Sequence, residues 1–314
     1  MQSVRADLFR LLGDEDRLRL LALCAEEELT VGELASLLGE SQPQVSKKSQ
    51  PLREAGLLAE RRDGTRTLLR SDLRDSDVVI EAAIGEGRRL CTKEGSLAKV
   101  ARVVAQREEL SKKLFDESRT APVVAPASID ATLVDWLAIF APLLPGRALA
   151  IDAGTGEGTL LPLLSPLYER VVAVDRSAAR LARCAERLGA MGLANVRLRE
   201  GAIDDAGLAE EIHARGGADL VVMARVLHHV GRPQDLVASA TQLLRAGGHL
   251  ALIDFLPHDD ESLREQGHVW LGFEPDKLRG WLTSAHLQAI VVEPLPFHSH
   301  HPSLQLAVGR KPSR

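Results

Sequence analysis

Residues 151–158, Ile151-Asp152-Ala153-Gly154-Thr155-Gly156-Glu157-Gly158, decide the fold. They follow the apolar run Ala148-Leu149-Ala150-Ile151 and lead into a helical pattern, so they read as strand, glycine turn and helix. Glycines in such a turn let the backbone approach a ligand with no Cβ in the way, and the helix N-terminus favours an anionic group. Thr159 stands where the dinucleotide fingerprint needs a third glycine, so NAD or FAD fits poorly. Asp175 ends the next run, Val171-Val172-Ala173-Val174, placed for its two oxygens to accept both hydroxyls of a ribose. Further buried runs at Asp219-Leu220-Val221-Val222-Met223 and His249-Leu250-Ala251-Leu252-Ile253 are separated by helical stretches. That alternation implies a parallel sheet covered on both faces, a Rossmann-like α/β domain.

Upstream the pattern is different. Val4, Leu8 and Leu11 mark one helical face, and Asp14 is placed to cap a second helix carrying Leu18, Leu21 and Ala25. Thr30-Val31-Gly32-Glu33 is a capping box for a third helix that stops at Gly39. Ser41-Gln42-Pro43-Gln44 opens a fourth, ending at Ala55-Gly56. Asp63-Gly64, between residues 58–62 and 65–70, is a short hairpin signal. From about 75 to 120 the pattern is helical, with Leu97, Val100, Val104, Leu110 and Leu114 on one stripe, until a loose segment from Pro122 to Pro126. The expected organisation is a winged helix-turn-helix domain (mostly α with a β-wing) over 1–85, a helical linker or dimerisation segment over 86–125, and the Rossmann-like domain over 126–314.

Composition agrees with two cores. The chain has 314 residues, 45% hydrophobic and 26% charged, which excludes a disordered, collagenous or disulfide-scaffold protein. No apolar run approaches the ~20 residues that cross a bilayer, and MQSVRADLFR has no signal-peptide core, so a soluble, cytoplasmic chain is expected. Cys24, Cys91 and Cys184 lie far apart and suggest neither a disulfide framework nor a metal site. The net charge of -5 argues against a surface that binds nucleic acid everywhere. Residues 41–70 depart from it, with seven basic residues against three acidic ones. Gln42, Gln44, Ser46, Lys47 and Lys48 form the polar start of the fourth helix, suited to reading bases in a major groove. Arg62 and Arg66 on the hairpin suit phosphate contact.

Histidines are the other chemical candidates. His228-His229 could supply a catalytic base, although a structural loop is the heavier reading. His258, Glu261, Arg264 and His268 read as a solvated, salt-bridged helix face rather than a metal site. The His298-Ser299-His300-His301 cluster lies beside prolines. No metal site is expected, and no catalytic residue is assigned.

Over residues 128–310 the chain resembles the class I S-adenosylmethionine-dependent methyltransferases, through Ile151 to Gly158, Val174-Asp175, Arg199-Glu200-Gly201, Asp219 through Val226-Leu227-His228-His229-Val230, and Leu244-Arg245-Ala246-Gly247-Gly248. The resemblance implies that Asp152, Gly154, Thr155 and Gly156 cradle the methionine part and that Asp175, with Arg176 beside it, holds the ribose. Ile203 and Asp204 would flank the adenine, the backbone around Ala224 would close on the amino-acid end, Arg225 would lie near the reacting centre, and His228 would also belong to the ligand site. The family often has Asp directly after the glycine matching Gly201; Ala202 stands here, leaving Asp204 or Asp205 to receive the adenine amine.

Residues 4–95 resemble ArsR-type winged helix-turn-helix repressors, through Thr30-Val31-Gly32-Glu33-Leu34-Ala35, Val45-Ser46, Leu52-Arg53-Glu54-Ala55-Gly56-Leu57 and Arg61-Arg62-Asp63-Gly64. Arsenic-sensing members carry Cys-x-Cys where Thr30 and Gly32 stand, so thiolate sensing is not inherited. Pro51 falls inside the fourth helix and should kink or restart it, and Ser49 replaces a usual core leucine. Both halves together resemble ArsR-type regulators fused to a methyltransferase-like domain, some of which respond to S-adenosylhomocysteine and control methionine-cycle genes. The implied protein is a homodimeric repressor, joined through residues 1–12 and 76–115. It would bind an inverted-repeat operator in double-stranded DNA under control of S-adenosylhomocysteine or S-adenosylmethionine. The alternative is an active methyltransferase whose N-terminal part serves DNA binding or dimerisation.

Overall fold

The computed structural model describes residues 2–71, 78–117, 139, 141–295 and 302–313. The chain divides into two compact units, Met1–Glu109 and Leu110–Arg314. The Pro122–Pro126 segment and the 298–301 histidine cluster lie outside the described residues.

The N-terminal unit runs α1 (Gln2–Leu12), α2 (Glu15–Glu26), β1 (Leu29–Thr30), α3 (Val31–Leu38), α4 (Gln42–Glu54), β2 (Leu58–Asp63), β3 (Arg66–Ser71), α5 (Val78–Glu94) and the first part of α6 (Ser96–Glu117). Helices α2, α3 and α4 start where the sequence places a cap. The Asp14 carboxylate accepts from Arg17 N at 3.1 Å. Thr30 and Glu33 exchange both bonds of a capping box, with Thr30 N donating to Glu33 Oε2 at 2.7 Å. Gly39, at φ +70°, ends α3 in the left-handed region that favours glycine. β2 and β3 pair antiparallel with β1 on the far side of β3. Asp63 is opposite Arg66, so the hairpin turns at Gly64-Thr65, one residue later than the sequence suggests. Leu20, Leu21, Leu23, Leu29, Leu34 and Leu52 are fully buried and form the core.

Two expectations fail here. α4 passes through Pro51 as one helix and does not restart. Pro51 sits in its last turn, where only the Lys47 carbonyl loses a partner, and the Pro51 carbonyl still accepts from Ala55 N at 3.1 Å. Ser49 is buried, and its hydroxyl donates to the Ser46 carbonyl at 3.1 Å, which satisfies the polar atom at a core position. On α6, Val100 and Val104 are buried as the stripe requires, but Leu110 is 56% exposed.

The C-terminal unit alternates β4 (Ala150–Ala153), α7 (Leu161–Leu167), β5 (Val171–Asp175), α8 (Ala178–Met191), β6 (Val196–Glu200), α9 (Ala206–His213), β7 (Ala218–Ala224), α10 (Pro233–Leu243), β8 (Leu244–Phe255), α11 (Pro275–Ser284), β9 (Gln288–Pro294) and β10 (Leu304–Arg310). The seven strands lie in the order β6-β5-β4-β7-β8-β10-β9, with β10 antiparallel to both neighbours. Strand order reverses between β4 and β7, which opens a crevice at their carboxyl ends. β4 and β5 are buried along their whole length, as strands covered on both faces must be. No described helix is long and apolar enough to cross a membrane.

One network ties the N-terminal unit together. Arg107 of α6 donates to Glu33 at 2.7 and 2.5 Å and to the Glu28 carbonyl at 3.1 Å. Burial pushes the Glu33 carboxyl up, but the Arg107 bonds and charge outweigh it and hold the group below the usual carboxylate range. A Glu33→Ala change removes the cap and this pairing together. It should lower the stability of α3 by about 2 kcal/mol, or about thirtyfold in amide protection over residues 31–38 by hydrogen exchange. Unchanged protection would mean that the network adds nothing to the fold.

Candidate functional site

The crevice is built by a turn that excludes side chains. Gly154, Gly156 and Gly158 have φ of +75°, +56° and +79°. A Cβ on Gly154 would fall 2.5 Å from Cγ2 of Val226, so the loop after β7 closes on the turn only because that residue is glycine. Gly154 N and Thr155 N both donate to the Val174 carbonyl, at 2.8 and 3.0 Å. Gly156 N donates to Asp175 Oδ2 at 2.7 Å, and Ser177 N to Oδ1 at 2.9 Å. The Asp175 carboxylate is thereby fixed in orientation, and each oxygen keeps a second lone pair for a ligand hydroxyl.

Asp152 ends β4 almost fully buried, and Thr155 Oγ1 donates to its Oδ2 at 2.6 Å. Burial pushes its carboxyl up to about 6, against the Thr155 bond and with the charge of Asp175 adding to the rise. Arg176 and Asp204 approach to 3.8 Å with both side chains about half exposed, beside buried Ile203. Asp205 instead caps α9, accepting from Gly207 N at 2.8 Å and Arg199 at 3.0 Å. Of the two carboxylates after Ala202, Asp204 is the one not committed to a helix cap. Ala224 ends β7, and Arg225 takes φ +60° with its N–H on the Ile253 carbonyl at 2.7 Å. Its exposed guanidinium lies 5.6 Å from the centre of the Phe255 ring.

His228 is placed differently from the sequence expectation. It is 1% exposed, so it does not open onto the crevice. Its Nδ1 donates to Asp254 Oδ1 at 2.7 Å, and burial drives the imidazole well below its ordinary pKa. Asp254 also accepts from Leu227 N at 3.0 Å and Phe255 N at 2.9 Å, with burial pushing its carboxyl up to about 6. The 258–268 segment is not one solvated helix face. Arg264 and Glu261 do pair at 2.8 Å on a short 3-10 turn, Glu261–Gln266, but His268 is buried against His228 and His229. The cause lies in the backbone, because Val269 N and Trp270 N both donate to the His228 carbonyl, at 2.8 and 3.1 Å. Val226 and Asp254 are the residues that sequence reasoning missed, while His268 was named but placed on a solvated face. Only Asp254 had a local signal, as a carboxylate ending a buried strand.

On the N-terminal unit, Gln42, Gln44, Ser46 and Lys47 are exposed at the start of α4, and Arg62 and Arg66 on the hairpin. Gln44 is partly committed: its Oε1 accepts from Ser41 N at 3.0 Å and Ser41 Oγ at 2.7 Å. Lys48 is a correction. It pairs with Asp16 at 2.7 Å and Glu40 at 2.5 Å and therefore braces α4 against its own domain. Arg53 pairs with Glu60, and Arg61 with Glu28 at 3.1 Å. Lys48, Arg53 and Arg61 are thus held in internal pairs, and Lys47, Arg62, Arg66 and Arg70 are exposed.

The raised Asp152 carboxyl has a pH consequence. A buried acid that holds its proton more tightly when folded costs stability as pH rises from the unfolded value, 3.8, through about 6. Asp152→Asn should therefore gain stability at pH 7.5, by up to about 3 kcal/mol. The advantage should shrink as pH falls from 6 towards 4, read by thermal unfolding at each pH. A pH-independent difference would show that Asp152 is not destabilised by its charge.

Residues 12–61 match a family model described as a helix-turn-helix domain, and residues 151–250 one described as a methyltransferase domain. The transcriptional regulator KmtR of Mycobacterium tuberculosis is 42% identical over 59 residues, 19% of this chain and 45% of its own length. The arsenical resistance operon repressor of Escherichia coli is 45% identical over 58 residues, 18% of this chain and 50% of its own. The chain thus spans about half the length of these curated relatives. The ubiquinone biosynthesis O-methyltransferase of Burkholderia multivorans is 26% identical over 182 residues, 52% of this chain and 73% of the relative. Among solved structures, the N-methyltransferase NodS from Bradyrhizobium japonicum in complex with S-adenosylhomocysteine superposes with a TM-score of 0.46 at 18% identity, covering 65% of this chain and 98% of that one. The chain joins a segment that matches a helix-turn-helix domain to one that matches a methyltransferase domain and folds on a Rossmann-like sheet.

Proposed function

We propose that this protein is a homodimeric transcriptional repressor, in the cytoplasm, whose affinity for an inverted-repeat operator is set by S-adenosylhomocysteine or S-adenosylmethionine in the C-terminal crevice. The observation that carries the reading is the exposed cationic face of α4 and the wing, Lys47 with Arg62, Arg66 and Arg70, on a chain of net charge -5. The dimer reading is supported by exposed apolar side chains on the three helices expected to pair: Phe9 at 59%, Val78 at 77% and Leu110 at 56%. Thr30 caps α3 and Gly32 has no side chain, so the place where arsenic-sensing relatives hold thiolates offers none. Sensing then falls to the second domain.

There the glycine cradle, which a Cβ would fill, suits an adenosyl ligand. Asp152 would receive the cationic amino group of the methionine part. Asp175 would accept from the ribose hydroxyls, and Arg176, Ile203 and Asp204 would surround the base. Bound S-adenosylmethionine would supply an electrophilic methyl group. The residue best suited to deprotonate an acceptor, His228, is buried against Asp254, which favours binding over transfer. The exposed Arg225 guanidinium, close to Ala224 in the chain, would disfavour a sulfonium and leave a neutral thioether untouched, so S-adenosylhomocysteine is the favoured effector.

Two measurements test this. In a DNA shift assay, Arg62→Ala should weaken binding to all sequences alike and lower the salt dependence by about one per lost phosphate contact. Lys47→Ala should instead narrow the gap between operator and random DNA. Calorimetry should give tighter binding of S-adenosylhomocysteine than of S-adenosylmethionine by at least about tenfold, a ratio that shrinks in Arg225→Gln. Tighter binding of the sulfonium, or turnover of it with a methyl acceptor, would favour the methyltransferase reading.

A further inference from the structure

We infer that His228, His229 and His268 form a binding site for a divalent first-row transition cation of the zinc, cobalt or nickel type. One ring nitrogen from each lies within 4.8 Å of the others. The ring centres of His228 are 4.1 Å from those of His229 and 4.2 Å from those of His268.

Three features set this cluster apart from packed histidines. His228 Nδ1 donates to Asp254 and His229 Nδ1 to the Gly267 carbonyl at 2.9 Å. Each bond fixes the tautomer and leaves the lone pair on Nε2. A carboxylate or carbonyl held on the far nitrogen is the arrangement that orients and strengthens an imidazole ligand. His268 supplies the third feature. It is 93% buried by its 7% exposure, and its Nδ1 has no hydrogen-bond partner. A buried nitrogen left unpaired costs free energy that a metal bond would recover.

Three imidazoles make the donor set of a zinc-type site with a fourth position open. Bonds of ~2.0–2.1 Å at tetrahedral angles need nitrogens about 3.3 Å apart. The rings would therefore have to close by up to ~1.5 Å, and an ion would clamp the loop after β7 to the segment around Gly267. The nearby guanidinium of Arg225 opposes the added charge, and the carboxylate of Asp254 beside His228 offsets it.

The test uses the full chain freed of metal by a chelator, then titrated with Co²⁺ and Zn²⁺ alone. One equivalent should bind at micromolar or tighter affinity, and Co²⁺ should give the visible absorption of a four- or five-coordinate nitrogen site. His268→Ala should lose binding at least about a hundredfold, and Asp254→Asn about ten- to a hundredfold. His229→Gln repeats the test at the most exposed ligand should His268→Ala unfold. Absence of stoichiometric binding by the native chain, or binding unaltered in folded His268→Ala or His229→Gln, overturns the site.

Discussion

The C-terminal unit depends on a close approach that only glycine permits. At the end of β4 the chain must turn beneath Val226, with no room for a Cβ at Gly154. Because the turn stays tight, Gly154 and Thr155 reach the Val174 carbonyl and Gly156 reaches the Asp175 carboxylate. Those bonds join the first strand's loop to the second strand's end, across the point where strand order reverses. The position of Asp175, the burial of Asp152 and the closure of the β7 loop all follow from one missing methyl group.

Asp152 illustrates the energetic side. A carboxylate with little solvent contact and a second carboxylate nearby lowers the stability of the fold near neutral pH. Such a group is out of place in a core selected for stability alone, and in place where a cation must be received. In the N-terminal unit, charge is divided between two uses. Lys48, Arg53 and Arg61 are spent on internal pairs, and Arg107 bonds the same Glu33 that caps α3. The cations exposed on the helix and wing surface are the ones a polyanion would meet.

Local signals were enough for much of this. The capping boxes at Thr30 and Ser41, the Asp14 cap and the wing hairpin depend on residues within a few positions of each other, and each forms. So does the glycine turn after a buried strand. The edge strands β6 and β9 carried weaker patterns, because they are partly exposed and lack the continuous apolar run of a strand covered on both faces. Pro51 was over-read. In the last turn of a helix it removes a single bond, and tertiary packing of Val45, Ser49 and Leu52 holds the helix through it.

By itself the sequence determined the class of each domain, the helix starts, the turn that shapes the crevice and the local surplus of positive charge. All of these rest on short-range periodicity, capping and glycine geometry. Only the tertiary structure decided which cations remain at the surface, because Lys48 finds partners 8 and 32 residues away. Only it buried His228 against Asp254, 26 residues on, and brought His268 to the same cluster. The physical reason is the same in each case. Pairing and burial of a polar side chain are settled by groups distant in sequence, whose approach is fixed by sheet order and loop packing rather than by neighbours along the chain.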